Sequence, residues 1–444
     1  MPIGVKNNNF QDFQDFAKRE KTDLWDAEPE GKRNRFMDYV EREILAFARE
    51  HAGEDTARLL LSAARYPGID MAAAVQQIEG LRTAHDKWPS LTACTDFLYP
   101  PRLNREQSSS EATALHKAGI YFLHPGKRHG GPLRIADLTG GMGIDTFALA
   151  GWGTEETPEV EVDYVEQDKG LCDLARHNAE ALGLHNIRFH CADSMEWLRR
   201  QDRRFDLLFV DPARRDKQGR KVSAFEDCTP DIVMYRELLL SKSEELMVKA
   251  SPMIDLTLGA SQLPNVSDVY VIAVSGECKE VLFRCGQTGE ESRIHCHHLH
   301  HGEIDDFVFT RDEESRAHAT YASEVGKYLY EPNAALMKAG PFKLLSQWEG
   351  VEKLSQNTHL YTSHRLLPHF PGRVFSVIVE TSPTRKEVQK WIPEGKAHVV
   401  TRNYPVAAAE LQKQLGLKEG GDLFVVATTI ANRRRALIAK GIKN

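Results

Sequence analysis

Within nine residues, Asp137-Leu-Thr-Gly-Gly-Met-Gly-Ile-Asp145 combine two carboxylates with three glycines. Glycine lets a chain turn sharply and approach a ligand closely. Leu133-Arg-Ile-Ala136 before it is a short apolar run, and Thr146-Phe-Ala-Leu-Ala150 after it has helical character. The segment therefore reads as strand, glycine turn and helix start. Such a helix start offers unpaired N–H groups and a partial positive charge. A dinucleotide-binding turn needs G-x-G-x-x-G, with an acid about 20 residues further on. Gly141 and Gly143 fit, but Thr146 occupies the place of the third glycine. Asp137 stands before the glycines, where a carboxylate would repel a pyrophosphate but accept bonds from an ammonium or hydroxyl.

More acids fall at the ends of apolar segments. Val160-Glu-Val-Asp-Tyr-Val165 reads as the next strand, and Glu166 closes it, 29 residues after Asp137. An acid at that tip can grip a ribose diol. Gly170 to Gly183 is an amphipathic helix, with Leu171, Leu174, Ala175, Ala179 and Leu182 on one face. Ile187-Arg-Phe-His-Cys191 is a third strand, followed by Asp193, placed to accept a bond from an adenine amino group. Phe205-Asp-Leu-Leu-Phe-Val210 is a fourth and ends in Asp211-Pro212-Ala213-Arg214. A pocket with carboxylates at the strand ends and no phosphate clamp suits S-adenosylmethionine (SAM).

In their order, Asp137–Asp145, Glu166-Gln167, Ala192-Asp193 and Asp211–Arg214 resemble the class I SAM-dependent methyltransferases. The resemblance implies a Rossmann-like, seven-stranded α/β sheet. It assigns the cofactor to Ser110, Asp137, Thr139, Gly140, Gly141, Gly143, Asp145, Glu166, Gln167, Asp193, Ser194 and Asp211. It places Asp211, Pro212 and Arg214 beside the methyl group. There Asp211 would orient an N–H nucleophile or take its proton. Pro212 would stiffen the loop, and Arg214 or Arg215 would hold a phosphate or stack on a base. Amino-methylating relatives carry a second proline and an aromatic residue at this tip, where Ala213 and Arg214 stand here. Uracil-methylating relatives add a cysteine at the fifth strand. That strand ends Lys249-Ala-Ser-Pro252 here, with Cys228 and Cys278 elsewhere. Lys249 is a candidate to approach the substrate.

The elements that position these residues lie in a chain of 444 residues, long enough for about three domains. No apolar run nears the ~18–20 residues needed to span a bilayer, and the first residues lack an apolar signal core. Seven cysteines show no framework spacing, which fits a reducing cytoplasm. A net charge of −7 excludes a general nucleic-acid-coating polycation, so any nucleic-acid surface is local.

The spacing divides the chain at 1–104, 105–275, 276–345 and 346–444. The first part is helical, with apolar periodicity over Phe36–Ala48, Thr56–Ala64 and Met71–Leu81. A further helix, capped by Ser108 or Ser109, leads into the glycine turn. In the resembling fold it crosses the cofactor's open side and brings Ser109, Ser110 and Glu111 near it. Asp268–Val274 and Lys279–Arg284 read as a terminal antiparallel pair. The last hundred residues read as strands at Arg373–Val379, His398–Thr401 and Leu423–Thr429, with helices at Val406–Leu415 and Asn432–Lys440. Arg385, Lys386, Lys390, Lys396, Arg402, Lys413, Lys418, Arg433, Arg434, Arg435, Lys440 and Lys443 make this part basic.

Tyr330-Glu-Pro-Asn333 through Gly340, Thr401-Arg-Asn-Tyr-Pro405 and Val426-Ala-Thr-Thr429 resemble a bacterial methyltransferase family with a C-terminal THUMP-like domain joined by a ferredoxin-like unit. That resemblance implies RNA as the partner and substrate. A methyltransferase for proteins or metabolites, and a non-catalytic RNA-binding protein with a SAM pocket, are the alternatives. His295-Cys-His-His-Leu-His-His301 would place His295, His297 and His301 on one strand face. Zinc sites more often show loop-spaced pairs. The stretch is therefore expected to pack or be solvated, with no metal.

Overall fold

A computed structural model describes residues 35–123, 131–151, 159–213, 225–286, 291–300, 302–348, 350–367 and 369–442, with side chains from residue 42 onward. The contacts separate two units. One gathers residues up to 266 with 282–286; the other gathers 267–281 and the described residues from 291 onward.

The first unit begins with α1 (Arg35–Glu50), α2 (Thr56–Leu61), α3 (Met71–Lys87), α4 (Arg102–Gln107) and α5 (Glu111–Leu123). Asp55 and Asp70 cap α2 and α3 by accepting backbone N–H bonds. In α3 the buried Ala74, Val75, Ile78, Leu81 and Ala84 make the core stripe. Ser110, rather than Ser108 or Ser109, caps α5, its Oγ accepting from Thr113 N at 3.3 Å.

Strands and helices then alternate: β1 (Leu133–Asp137), α6 (Ile144–Ala150), β2 (Val160–Glu166), α7 (Lys169–Ala181), β3 (Ile187–Cys191), α8 (Ser194–Arg199), β4 (Phe205–Val210), α9 (Ile232–Lys242), β5 (Ser243–Ala250) and α10 (Leu256–Gln262). The five strands run parallel in the order β3-β2-β1-β4-β5. Leu207, Leu208, Val210, Leu246 and Val248 are fully buried, as strands covered on both faces require. The order reverses between β1 and β4, and ligands of such sheets bind at the carboxyl ends beside that switch. This is the expected Rossmann-like arrangement.

The boundary between the units falls within β6 (Val266–Val274) and β7 (Glu277–Cys285), which are neighbours. Ser275 and Gly276 join them, both at positive φ (50° and 85°), the geometry of a two-residue hairpin turn. β8 (Arg293–His300) lies parallel to β6, and β9 (Glu303–Thr310) antiparallel to β8. These two strands add to the expected set of seven. α11 (Arg311–Arg316) follows with a capping box formed by Thr310 and Glu313.

The remaining elements are β10 (Tyr328–Pro332), α12 (Ala334–Ala339), β11 (Glu352–Ser355), β12 (Thr358–Ser363), β13 (Gly372–Thr381), α13 (Arg385–Gln389), β14 (His398–Arg402), α14 (Ala408–Leu415), β15 (Leu423–Ile430) and β16 (Arg433–Ile442). They build a sheet in the order β11-β12-β10-β13-β16-β15-β14. The terminal segment, expected as a helix from Asn432, is strand β16. Ala436 and Ile438 enter one core cluster while Leu437 and Ala439 enter another. Burial on both faces produces an unbroken apolar run, which periodicity cannot tell from a buried helix. Glu331, 3% exposed, accepts Arg373 Nε at 2.7 Å and pairs with Arg402 Nη2 at 2.5 Å. The Tyr330–Asn333 and Thr401–Asn403 motifs thus meet through this carboxylate.

Candidate active site

The glycine turn is braced from within. Asp137 is buried; its Oδ1 accepts Thr139 N at 3.0 Å and its Oδ2 accepts Thr146 Oγ1 at 2.6 Å. The hydroxyl at the place of the missing third glycine therefore ties α6 to β1. Asp137, expected to meet an ammonium, holds the shape of the turn through both of its oxygens. Burial pushes its carboxyl up to about 7, against the hydrogen bonds from Thr146 and Thr139. An acid raised in the folded state binds more protons folded than unfolded. Its contribution therefore falls as pH rises from the ordinary value near 4 to about 7. Asp137→Asn removes this titration. Its stability relative to the natural chain should rise between pH 5 and pH 7, by up to about 1.4 kcal/mol per pH unit. A difference in urea unfolding that is flat over this range would refute the assignment.

Thr139 Oγ1 accepts Asp211 N at 2.7 Å, which joins the tips of β1 and β4. Gly140 lies on the Tyr164 ring, so a Cβ there would come within 2.2 Å of Cε2. Tyr164 donates its hydroxyl to Gly141 O at 2.7 Å. Gly141 N donates to Glu166 Oε2 at 3.0 Å, and Glu166 Oε1 accepts Asp168 N at 2.8 Å. Gly140→Ala should lower stability by about 1–3 kcal/mol through overpacking. It should weaken cofactor binding at least tenfold in calorimetry, since the turn must shift; unchanged binding would mean that the turn does not shape the pocket.

Beside this turn lies a buried charged network that sequence reading did not assemble. Ser109 Oγ donates to Asp145 Oδ2 at 2.7 Å and accepts from Lys117 Nζ at 3.1 Å and Lys249 Nζ at 3.0 Å. Lys117 pairs with Asp145 at 3.2 Å. Lys249 donates to Asp211 Oδ2 at 2.6 Å and lies 3.8 Å from Asp145. Burial opposes the charge of Asp145, but the two lysines and Ser109 outweigh it and hold the carboxyl below its usual range. Asp145, a residue also expected near the cofactor, links the two lysines. Lys249, expected near the substrate, meets Asp211 at the tip of β4.

The other expected residues separate by position. Glu111 is buried and accepts Ser90 N and Oγ at 2.9 and 2.5 Å, which commits it to packing. Asp193 caps α8 through Oδ1, accepting Met195 N and Glu196 N at 3.0 and 2.9 Å. Ser194 opens that helix, and Gln167 is exposed at the β2 tip. Pro212 is buried, and Ala213 is pinned to Thr229 by paired backbone bonds of 2.8 and 3.0 Å. Arg214 and Arg215 lie outside the described residues, as do Lys443 and His301. Cys278 is ill suited as a nucleophile, because burial pushes its thiol up to about 11. Among the basic residues, Arg435 pairs with Glu380 and Lys390 with Glu387, whereas Lys386, Lys396, Lys413, Lys418, Arg433 and Arg434 are exposed. No helix among the described residues is long and apolar enough to cross a membrane.

Comparison with known proteins bears on the fold and the family. A ferredoxin-like domain family matches residues 328–371, and a THUMP domain-like family matches 372–440. The crystal structure of a "putative methyltransferase" from Porphyromonas gingivalis W83 is 30% identical. It covers 91% of this chain and 99% of its own, with a TM-score of 0.78. The uncharacterized RNA methyltransferase tlr0942 of Thermosynechococcus vestitus is 33% identical over 105 residues, 24% of this chain and 22% of that protein. The tRNA1(Val) (adenine(37)-N6)-methyltransferase of Cronobacter sakazakii is 35% identical over 85 residues, 19% of this chain and 34% of that protein. The matched part is thus about a fifth of the first curated relative and a third of the second. The chain belongs to the class I SAM-dependent methyltransferase family that carries ferredoxin-like and THUMP-like segments at its C-terminal end.

Proposed function

We propose that this protein transfers a methyl group from SAM to RNA, in the cytoplasm. The observation that carries the reading is Asp211 at the carboxyl end of β4. Its amide is fixed by the glycine turn and its Oδ2 by Lys249. The turn fits the cofactor: where a side chain on Gly141 would stand there is open space, with nothing nearer than Thr139 O at 3.7 Å. Gly140, Gly141 and Gly143 would form the floor, Glu166 and Gln167 would face a ribose, and Asp193 and Ser194 would face the adenine. When bound, SAM supplies a methyl carbon activated by an adjacent sulfonium. The chain's own residues then hold the nucleophile in line and exclude water. With Oδ2 held by Lys249, Asp211 Oδ1 is positioned to accept a hydrogen bond from an N–H or O–H nucleophile and to draw off its proton. Pro212 and the Ala213–Thr229 bridge keep that tip from swinging.

RNA is favoured as the substrate by the THUMP-like segment and its exposed cations. Lys386, Lys413, Lys418, Arg433 and Arg434 can meet phosphates, so binding should weaken steeply with salt. Seven free cysteines support a reducing compartment. The decisive measurement is tritium transfer from labelled SAM to RNA, protein and metabolite fractions of cells lacking the gene. Label should enter RNA. Label confined to protein or metabolites, with RNA blank, would overturn the substrate.

A further inference from the structure

The histidine-rich strand β8 does more than pack. Alternation puts His295 and His297 on one of its faces and His298 and His300 on the other. β9 sets Asp306 directly opposite His297 and Asp305 opposite His298. Each pair of imidazoles thus acquires a carboxylate from a residue far from view in the motif itself.

We propose that His295, His297 and Asp306 bind one divalent transition-metal ion of the zinc class, with Asp268 as the outer carboxylate that orients His295. One ligand atom from each of the three lies within 4.8 Å of the others. His297 Nε2 and Asp306 Oδ1 are 3.2 Å apart. Two ligands each ~2.0–2.1 Å from a tetrahedral ion stand about 3.3 Å apart, so this pair needs almost no movement. His295 Nε2 meets Asp268 Oδ1 at 2.9 Å, and Asp268 is 5% exposed. Metal-bound histidines almost always carry such a partner, which fixes the ring and raises its basicity. Tyr270 also stacks on His295, with ring centroids 4.4 Å apart and planes 19° apart. Two imidazoles and one carboxylate select late first-row ions over magnesium or calcium. Asp306 is half exposed, which gives the ion a route in and room for a fourth ligand from solvent.

The opposite face is a poorer site. Asp305 Oδ2 lies 3.3 Å from His298 Nδ1 and 3.2 Å from His300 Nε2. Gly276 N–H donates to His298 Nε2 at 3.1 Å, so that nitrogen holds the lone pair and Nδ1 holds the proton facing Asp305. A metal at Nδ1 would require the reverse tautomer and set two N–H groups against each other.

The test uses the full chain without a polyhistidine tag, stripped with chelator and titrated with Zn²⁺ in a calorimeter and with Co²⁺ by visible absorption. One equivalent should bind at micromolar or lower concentration, with the intense band of tetrahedral cobalt. His297→Ala should weaken binding at least 100-fold and Asp268→Asn about 10–100-fold, while His298→Ala leaves it unchanged. Asp306→Asn, at a half-exposed position that should leave folding intact, should weaken binding at least tenfold. No uptake by the natural chain at micromolar metal overturns the proposal. So does undiminished binding in Asp306→Asn, or loss of the site in His298→Ala in place of His297→Ala.

Discussion

Asp211→Ala is expected to lower methyl transfer by about 10²–10⁴-fold, the usual contribution of a positioned acid–base group. Affinity for SAM should change only a few-fold. The reason is geometric: Asp211 N, not its side chain, is bonded to Thr139, so the turn keeps its shape when the carboxylate is lost. Asp211→Asn keeps an acceptor for Lys249 but has no carboxylate to take a proton, so its rate should fall comparably. Single-turnover rates with calorimetric SAM binding check both. A full rate in Asp211→Ala would remove this residue from the chemistry. Loss of SAM binding in both variants would make it a pocket residue instead.

Lys249→Met should lower stability by about 3–5 kcal/mol. Removing one partner of a buried ion pair leaves an uncompensated charge. Here the single Nζ serves Asp211, Ser109 and, at 3.8 Å, Asp145. Asp211 is about a third exposed and water can partly replace the cation there, which argues for the lower end of that range. Asp145 is held by Lys117 as well. Urea unfolding near neutral pH reads the loss. Adding Asp211→Asn should recover part of it, because one stranded charge disappears. Strictly additive losses in the double variant would show that the 2.6 Å contact carries no coupling energy. On the acid side the Asp145 carboxyl, depressed when folded, contributes stability that is lost as pH falls through its folded value.

Local pattern carried much of the fold. Strand ends at Asp137, Glu166, Asp193 and Asp211 were visible because apolar runs stop there and turn residues begin. What those carboxylates do was less visible. Asp137 accepts from Thr139 and Thr146, Glu166 from Gly141 and Asp168, and Asp193 caps a helix with one oxygen; which donors fold back onto each acid is not written in a local pattern. The Ser109–Lys117–Asp145–Lys249 cluster draws on α5, α6 and β5, and no window of sequence spans 140 residues. Asp268 and Asp306 are hidden in the sequence for the same reason: the histidine run lies on β8, while its carboxylates come from the neighbouring strands β6 and β9. β16 looks helical in sequence because burial on both faces erases the alternation by which a strand is known.

The two C-terminal family segments meet at residues 371 and 372, yet the sheet does not pause there. β10, from the first, pairs with β13, from the second, over five residues. Glu331 on β10 takes both Arg373 and Arg402 from across that line. Cutting the gene at this point would leave a naked strand border on either fragment and strand two guanidinium groups without their shared anion. Neither half is therefore expected to travel alone as a cassette: severed, each should unfold at lower urea than the joined sheet.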